Sequence, residues 1–357
     1  LIAEGGDSHA VAPAEVHAGP VETLLFCGGG KDSLVAMRLL DHAQLPYATH
    51  GYSHSIYGSA GPQHALITGL LKHGQPKRHH RSFVFDDFLD APVLELQPEL
   101  RSHSLLAAET PCSLFAALPL ALAHGYRSLV LAHERSANFG NLRWDKTAEE
   151  VNHQWGKSIA AEQLLASYVQ QALLSNVQYF SLLMPIHDAV IFTLLRRDVG
   201  ALRDTHSCNI RKPWCKRCAK CAYVWLGYMA YLPTEEVSAM FGENLLDLPE
   251  NQVWFEQLLG LSTHTPFECV GRVEEARLMM LLCQRKGVQG RAMALLQRLS
   301  AVDIVTEALP LLDVYDSLHR IPEPMRSAVL LQMNAASAEA LTLLRQATPL
   351  EPGDIAS

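Results

Sequence analysis

A short buried strand, a glycine-rich turn and an amphipathic helix follow one another near the start of the chain and constrain its fold most strongly. Residues 22–26 have the pattern of a buried parallel strand, glycines occupy 28–30, and apolar residues recur at helical spacing from Leu34 to Leu40. The free backbone N–H groups at such a turn and the positive end of the helix dipole favour a bound anion, and glycine lets a ligand approach the backbone. The turn therefore predicts a phosphate site at the start of this helix.

Two better-known phosphate loops do not fit the turn. A Walker loop needs a glycine where Leu25 stands, and it needs Ser or Thr directly after the lysine, where this chain has Asp32. A dinucleotide-binding fingerprint needs a third glycine where Ser33 stands. What remains is a lysine beside an aspartate, which suits a site where Lys31 neutralises phosphate charge and Asp32 recruits Mg²⁺. An ordinary strand-to-helix turn without a ligand is the alternative.

Strands and helices alternate over the first two hundred residues. Beyond the first strand, the apolar patterns predict further strands at 46–53, in a segment ending at 85, at 127–134 and at 177–184. The helical patterns lie at 63–72, 111–124, 160–174 and 189–197. This alternation predicts an α/β fold with a parallel sheet covered by helices on both faces. Ligands of such a sheet bind beyond the carboxyl ends of its strands.

From residue 221 onward the pattern becomes helical. Apolar residues recur at helical spacing in 222–232, 251–261, 273–286 and 291–300. We expect five parts in the chain, namely a flexible lead-in at 1–20, an α/β domain with the glycine turn at 21–204, a cysteine loop at 205–221, a helical domain at 222–347 and a tail at 348–357.

Composition narrows the class of protein. A chain of 357 residues with 48% hydrophobic and 18% charged residues can bury a sizeable core. Its net charge of −8 argues against a general electrostatic grip on nucleic acid. No apolar stretch is long enough to span a bilayer, and no secretion signal is visible. We therefore expect the eight cysteines to lie in a reducing cytoplasm, and the oligomeric state stays open.

Four cysteines are clustered between the two halves of the chain. Cys208, Cys215, Cys218 and Cys221 have the spacing C-x6-C-x2-C-x2-C, which lets four thiolates close a tetrahedral shell around Zn²⁺. Such a closed shell is structural, and redox thiols or buried free cysteines are the alternatives. The loop is also basic, which indicates either a solvated surface or a site for a polyanion such as a diphosphate or RNA. Its basic residues are Arg211, Lys212, Lys216, Arg217 and Lys220.

A second polar segment, "LAHERSANFGN", begins at the end of the strand predicted at 127–134. His133, Glu134, Ser136 and Asn138 are expected at the same edge of the sheet as the glycine turn. Turn-forming and capping roles are the alternative for such residues. Their location at the ligand-binding edge favours a functional site.

The turn resembles the PP-loop, S-G-G-x-D-S, of the ATP pyrophosphatases, which cut ATP into AMP and pyrophosphate while adenylating a substrate. Gly28 replaces the serine of that pattern, and the other positions match. The matching residues are Gly28, Gly29, Gly30, Lys31, Asp32 and Ser33. Four motifs in order, "LLFCGGGKDS", "HERSAN", "WCKRCAKCAYV" and "TPFECVG", resemble more narrowly the MurL epimerases of peptidoglycan synthesis, over residues 20–290.

The resemblance implies an enzyme that inverts the terminal L-Glu of UDP-N-acetylmuramoyl-L-alanyl-L-glutamate to D-Glu with ATP and Mg²⁺. It implies that the PP-loop, with Ser136 and Asn138, binds the nucleotide. It implies that Lys31 and Asp32 take part in the chemistry together with further residues near the matching motifs. These further candidates are His133, Glu134, Glu109 and Cys269. Glu109 stands where the family carries a histidine, which leaves a different substrate in a related pathway open.

Three other functions stay open from the sequence. A 7-cyano-7-deazaguanine synthase also combines this loop with four zinc-binding cysteines, but "HERSAN" and "PFECVG" do not belong to it. A tRNA-modifying PP-loop enzyme is disfavoured by net charge, although the basic cysteine loop supports it. A non-catalytic nucleotide-binding module would explain Gly28, but it would have no need of Lys31 and Asp32. Pyrophosphate release from ATP separates the enzymes from the module.

Overall fold

The computed structural model describes residues 12–87, 92–96 and 109–347. The predicted tail at 348–357 and the first 11 residues of the predicted lead-in lie outside these ranges. The strands are β1 (Thr23–Phe26), β2 (Tyr47–His54), β3 (His79–Val84), β4 (Ser128–Leu131), β5 (Leu142–Arg143), β6 (Glu150–Val151) and β7 (Gln178–Ser181). Five of them form one parallel sheet in the order β3-β2-β1-β4-β7, and β5 pairs with β6 in an antiparallel hairpin. The predicted α/β class with a parallel sheet is therefore confirmed.

Eleven α-helices complete the described part of the chain. They are α1 (Lys31–His42), α2 (Ala60–Leu71), α3 (Glu109–His124), α4 (Ile159–Ala172), α5 (Asp188–Leu195), α6 (Ala219–Tyr231), α7 (Thr234–Phe241), α8 (Gln252–Leu258), α9 (Val273–Arg285), α10 (Ala301–Ala308) and α11 (Met325–Ala347). The predicted helix near 291–300 is instead a 3-10 helix at Arg291–Arg298, where the Ala292 N–H donates to the Leu246 carbonyl. None of the helices within the described ranges is long and apolar enough to cross a bilayer.

The sheet is covered on both faces because successive residues of a strand point to opposite sides. Leu25 and Val130 belong to a buried cluster with residues of α1 and α5. Leu24, Phe26 and Leu129 belong to a second cluster with residues of α3 and α4. This arrangement leaves the carboxyl edge of the sheet as the place where loops from several strands meet.

The C-terminal helices share a core with one face of the sheet. Phe192 on α5 stacks on Tyr231 of α6, with ring centroids 5.8 Å apart. The same buried cluster continues through α9 and α11. The boundary predicted near residue 221 lies within this core, which continues across it without interruption.

Part of the predicted flexible lead-in at 1–20 is docked on the sheet domain. The Ala14 N–H donates to the Leu173 carbonyl over 2.8 Å, and Val16 is buried. The Val16 N–H also donates to the Asn176 side chain over 2.9 Å. The backbone groups of these residues have partners in the connection between α4 and β7. Hydropathy of the segment alone did not reveal those partners.

Gly227 allows the close approach of α6 to α5. A Cβ at this position would overlap the ring of Phe192. We expect Gly227→Ala to lower the free energy of unfolding by about 1–3 kcal/mol, because the added methyl group would overpack the core there. Chemical denaturation of the purified variant measures the change. Gly61→Ala on α2 is the matched control, since no atom lies within 4 Å of its added Cβ. An equal loss in both variants would contradict the packing explanation.

Candidate active site

The glycine turn and the polar segment meet at the point where the strand order reverses. β1 lies between β2 and β4, and the chain leaves β1 through α1 toward β2. The turn at 27–30 and the segment at 132–138 therefore follow the carboxyl ends of neighbouring strands. A crevice at this position is the usual ligand site of a parallel α/β sheet.

The glycine turn is supported from behind and open in front. Gly29 has φ +88°, and the ring of His206 fills the space that a Cβ would need there. The His206 N–H donates to the Gly29 carbonyl over 2.9 Å. By contrast, no atom lies within 4 Å of a Cβ built on Gly28. Gly30 is the N-cap of α1 and has no side chain to cap its first N–H groups, which leaves them suited to an anion.

Lys31 is buried beneath the turn, with 1% of its surface exposed. Its Nζ donates to Asp32 over 2.5 Å and also to Asp188, and it lies 5.3 Å above the ring of Phe192. Burial alone would lower the pKa of Lys31, but Asp188, Asp32 and Glu134 hold it well above its ordinary value. Lys31 therefore keeps a fixed positive charge directly beside the turn.

A network of buried side chains from α5, α6 and α9 holds this charge. The Tyr223 hydroxyl donates to Asp188 Oδ2 over 2.9 Å and lies 3.4 Å from Glu275 Oε2. Glu275 accepts the backbone N–H of Asp188 over 2.8 Å and that of Arg272 over 2.7 Å. Burial and the charge of Asp188 raise the pKa of Glu275 to about 8. Sequence reasoning missed Asp188, which contacts Lys31, and also Tyr223 and Glu275, which contact Asp188.

Ser136 and Asn138 support the polar segment from within. His187 Nδ1 lies 2.9 Å from Ser136 Oγ, and that hydroxyl donates to Glu275 Oε1 over 2.9 Å. Because the Ser136 hydroxyl donates to Glu275, Nδ1–H of His187 is assigned as the donor to Ser136 Oγ, and burial lowers the pKa of His187 to about 3. Asn138 Oδ1 accepts the N–H of Ile159 at the start of α4 over 2.7 Å. These hydrogen bonds fix the segment that carries Glu134.

The predicted strand at 127–134 ends early, at Leu131, so that His133 and Glu134 leave the sheet. The Arg135 N–H donates to the Ile186 carbonyl over 2.9 Å, which turns the chain away from the strand direction. Glu134 is buried, and burial together with Asp32 raises its pKa to about 7. The carboxylates of Asp32 and Glu134 thus repel one another beside the glycine turn.

Lys157 joins the remaining candidates to this region. It lies in a short 3-10 helix at Trp155–Lys157, which the sequence did not single out. Although burial lowers the pKa of Lys157, nearby anionic groups raise it above its ordinary value, with Cys269 contributing most and then Glu134 and Glu109. Burial and Lys157 lower the pKa of His133 well below its ordinary value. Lys157 is thus within electrostatic reach of candidates from three separate segments, namely Glu134, Glu109 and Cys269.

The four clustered cysteines have the geometry of a metal site. Their sulfur atoms lie within 4.8 Å of one another, with 3.9 Å between Cys208 and Cys218 and 3.8 Å between Cys215 and Cys221. The backbone N–H groups of residues 210, 211 and 215 donate to the Cys208 sulfur, as they would to a thiolate. The cluster could hold a metal ion such as zinc.

The basic residues of the cysteine loop have separate environments. Lys216 and Arg217 form ion pairs with Glu243, with distances of 3.3 and 3.4 Å. Lys212 lies over the ring of Tyr57, 4.9 Å from its centroid, and burial lowers its pKa. The cysteine loop is therefore no uniformly basic surface for a polyanion, since Glu243 partly neutralises two of its positive charges.

Glu275 connects the helical part to the lysine. We expect Glu275→Ala to lower the free energy of unfolding by at least about 3 kcal/mol, because buried N–H and O–H donors would lose their acceptor. Urea denaturation at neutral pH measures this change. Glu307→Ala is the control, since its carboxylate pairs with Arg277 at an exposed position and should cost at most about 1 kcal/mol. Similar losses in the two variants would refute the central role of Glu275.

Comparisons with known proteins agree with this site. The model of the MurL C-terminal domain matches residues 202–308, and that of the MurL N-terminal domain matches residues 111–182. These matches include the cysteine cluster, the loop with Cys269 and the polar segment with Glu134.

Three curated relatives carry the name UDP-N-acetyl-alpha-D-muramoyl-L-alanyl-L-glutamate epimerase. The Salinispora tropica protein is 30% identical over 71% of this chain and 54% of its own length. The Xanthomonas oryzae pv. oryzae protein is 31% identical over 76% and 58%, respectively, and a Micromonospora protein is 30% identical over 89% and 70%. The chain spans little more than half the length of the first two relatives. With two domain models matched in order and 70% of a relative covered, the chain belongs to the MurL epimerase family.

Proposed function

We propose that this chain carries an ATP-dependent epimerase activity of the PP-loop type. It adenylates the terminal L-Glu carboxylate of UDP-N-acetylmuramoyl-L-alanyl-L-glutamate and inverts the adjacent Cα to the D configuration. The observation that carries the proposal is the buried, permanently charged Lys31 at an open glycine turn beside Glu134. The names of the relatives supply the substrate.

Adenylation solves the central difficulty of this inversion. Removing a proton from the Cα of a free carboxylate would build a dianion, which a side-chain base cannot achieve at neutral pH. Converting the carboxylate into an acyl phosphate removes its charge and lets the carbonyl oxygen accept the electron pair. A base then takes the proton from one face, an acid returns one to the other face, and hydrolysis releases AMP.

The residues around the turn fit ATP as a substrate. No atom lies within 4 Å of a Cβ built on Gly28, and no side chain caps the first N–H groups of α1, which suits them to phosphate. Lys31 would neutralise the charge of the departing pyrophosphate. Ser33 accepts the Gly28 N–H over 3.2 Å and thereby shapes the loop. We propose that Ser136 and Asn138 border the nucleotide through the segment that they hold.

The carboxylates beside the turn fit Mg²⁺. Asp32 is partly exposed, with 26% of its side chain accessible, and its charge contributes to the raised pKa of Glu134. Asp32 and Glu134 would hold a divalent cation, whose charge would relieve this repulsion, and magnesium is commonly held by one or two carboxylates together with phosphates. When bound, the ion would neutralise charge on the phosphates during adenylation.

The cysteine cluster fits structural zinc in a cytoplasmic protein. Zinc–sulfur bonds of about 2.3 Å in a tetrahedron require sulfur atoms about 3.8 Å apart, close to the separations of the two cysteine pairs. All four positions are then taken by cysteine, which leaves none for substrate. A reducing compartment would keep these thiols available for the metal.

A single incubation tests the proposed function. The protein is mixed with ATP, Mg²⁺ and the UDP-muramoyl dipeptide in D2O. We expect pyrophosphate in solution, and deuterium at Cα together with D-Glu in the peptide, because reprotonation draws on solvent. Phosphate analysis, mass spectrometry and chiral analysis after hydrolysis measure the three products. Binding of ATP without any of these products would contradict the proposal.

Metal content tests the zinc assignment. We expect about one zinc ion per chain in protein purified without chelator, by elemental analysis. Cys218→Ser should lose the ion and unfold at lower denaturant concentration, since metal binding contributes to folding free energy. Cys112→Ser, at an exposed thiol outside the cluster, should keep both properties. Zinc-free protein with unchanged stability would contradict a structural metal.

A further inference from the structure

Strand β2 continues beyond its neighbour β1 and forms one wall of the candidate site. His50 pairs with Phe26, the last residue of β1, whereas β2 continues to His54. At about 3.3 Å per residue, this extension carries β2 about 13 Å past the end of β1. Tyr57 follows in a short 3-10 helix at Ser55–Tyr57. Tyr57 therefore lies at the carboxyl edge of the sheet, on the β2 side of the glycine turn.

A buried glutamine fixes the turn that carries Tyr57. Gln63 Nε2 donates to the carbonyls of His54 and Gly58 over 3.0 and 2.8 Å, and Gln63 Oε1 accepts the His54 N–H over 3.3 Å. Gly58 has φ +96°, and a Cβ built on it would meet no atom of the described residues within 4 Å. The turn is thus held by α2 and is open beside Tyr57.

Lys212 in the cysteine loop lies over Tyr57 without an anionic partner. Its Nζ is 4.9 Å from the centroid of the Tyr57 ring, and the residue is half-buried. In the part of the chain that the structure describes, no carboxylate oxygen lies within 4 Å of this nitrogen. Lys216 of the same loop, by contrast, pairs with Glu243 over 3.3 Å. Since a cation–π contact leaves the N–H donors of an ammonium unpaired, Lys212 can bind an anion.

The cysteine loop is fixed against the candidate site at two points. The His206 N–H donates to the Gly29 carbonyl over 2.9 Å, and Asn209 donates to the Glu268 carboxylate over 2.8 Å. Lys212 follows Asn209 along the same loop. These contacts place the start of the loop that carries Lys212 between the glycine turn and the loop at 265–270.

The loop at 265–270 is itself held by one asparagine. Asn141 Nδ2 donates to the carbonyls of Pro266 and Glu268 over 2.7 and 3.2 Å. Asn141 Oδ1 accepts the backbone N–H of His153 over 3.1 Å. The loop that Asn209 contacts therefore has a defined position, which it passes on to the cysteine loop.

Lys157 and Lys212 have different charges around them. The carboxylates of Glu134 and Asp32 are among the groups that raise the pKa of Lys157. Neither is among the groups with the largest effects on the pKa of Lys212, which burial lowers. Glu109 lies within electrostatic reach of both lysines, so that they belong to one site. Lys157 thus belongs to the phosphate end of this site, whereas Lys212 is a cation away from it.

The terminal glutamate of the proposed substrate carries two carboxylates. The α-carboxylate is adenylated at the phosphate end, whereas the side-chain carboxylate keeps its charge and is two methylene groups away from the reacting Cα. A carboxylate that leaves water needs a cationic partner and hydrogen-bond donors. The unpaired ammonium of Lys212 supplies both.

We propose that Lys212 binds the side-chain carboxylate of the terminal glutamate and thereby selects a dicarboxylic residue for inversion. This inference rests on the proposed function. The Tyr57 ring, whose turn Gln63 fixes, limits the positions that the ammonium can take. A terminal glutamine has nearly the same shape but no charge, so that its carboxamide would leave the ammonium without an anion. Lys212 is therefore a specificity residue, distinct from the groups that move the Cα proton.

Two substrates that differ only in this charge test the proposal. Pyrophosphate release is followed with UDP-muramoyl dipeptides that end in L-Glu or L-Gln. We expect the wild type to prefer L-Glu in kcat/KM by about 10–100-fold, the usual contribution of a hydrogen bond to a charged group. Lys212→Met should lose this preference by reacting more slowly with L-Glu and within a few-fold of the wild type with L-Gln. Lys216→Met, which removes a lysine that already has a carboxylate partner, should keep the preference.

The outcomes separate this inference from the function on which it rests. An equal loss on both peptides in Lys212→Met, with the preference unchanged, would show a structural role and overturn the inference. A wild type without any preference for L-Glu would overturn it as well. Absence of pyrophosphate release by the wild type with the L-Glu peptide would instead overturn the proposed function.

Acetylation of the wild-type protein tests the contact without a variant. The protein is treated with sulfo-N-hydroxysuccinimide acetate in the presence of Mg²⁺ and α,β-methylene-ATP, which blocks adenylation. We expect the L-Glu peptide at saturation to slow acetylation of Lys212 several-fold, the L-Gln peptide to have little effect, and Lys216 to react equally in all samples. Peptide mass spectrometry measures the rates. Equal rates at Lys212 with and without the L-Glu peptide would overturn the inference.

Discussion

The buried ammonium of Lys31 is the constraint on which the rest of the structure depends. A charge with 1% exposure is stable only when paired and hydrogen-bonded, and Asp32 and Asp188 supply the pairing. Asp188 is itself buried and needs donors of its own, which come from Tyr223 on α6. The helical region therefore supplies a partner that the buried charges at the glycine turn need, and it shares a core with the sheet. Glu275 of this region accepts the backbone N–H of Asp188 and so connects the two parts.

The cysteine segment contacts both ends of the site, namely the glycine turn and the loop at 265–270. His206, two residues before the first cysteine, packs on Gly29 and donates to its carbonyl. Asn209, directly after that cysteine, donates to Glu268. A metal ion in the cluster would therefore fix the distance between the two ends without contacting substrate.

Sequence periodicity was sufficient for the sheet, its helices and the shared edge of Lys31 and Glu134, because these follow from local patterns and from the parallel arrangement of strands. Cysteine spacing likewise predicted the cluster. Asp188 and Glu275 were missed because each lies at the start of an apolar helix. Their roles depend on hydrogen-bond partners that are distant in the chain, which a local sequence pattern does not show. His153 and Lys157 lie in an irregular segment without a periodic signal. Asp188 could have been found, since it follows β7 at the same edge that singled out Glu134.

The proposed function depends on the use of ATP to activate the carboxylate next to the inverted carbon. The direct measurement uses UDP-muramoyl dipeptide whose glutamate α-carboxylate is labelled with ¹⁸O, incubated with the protein, ATP and Mg²⁺ in unlabelled water. Attack of that carboxylate on ATP, followed by hydrolysis at the acyl carbon, leaves one labelled oxygen in AMP. We expect AMP to carry ¹⁸O in proportion to D-Glu formed. Unlabelled AMP formed alongside D-Glu would contradict an acyl-adenylate that is hydrolysed at its acyl carbon.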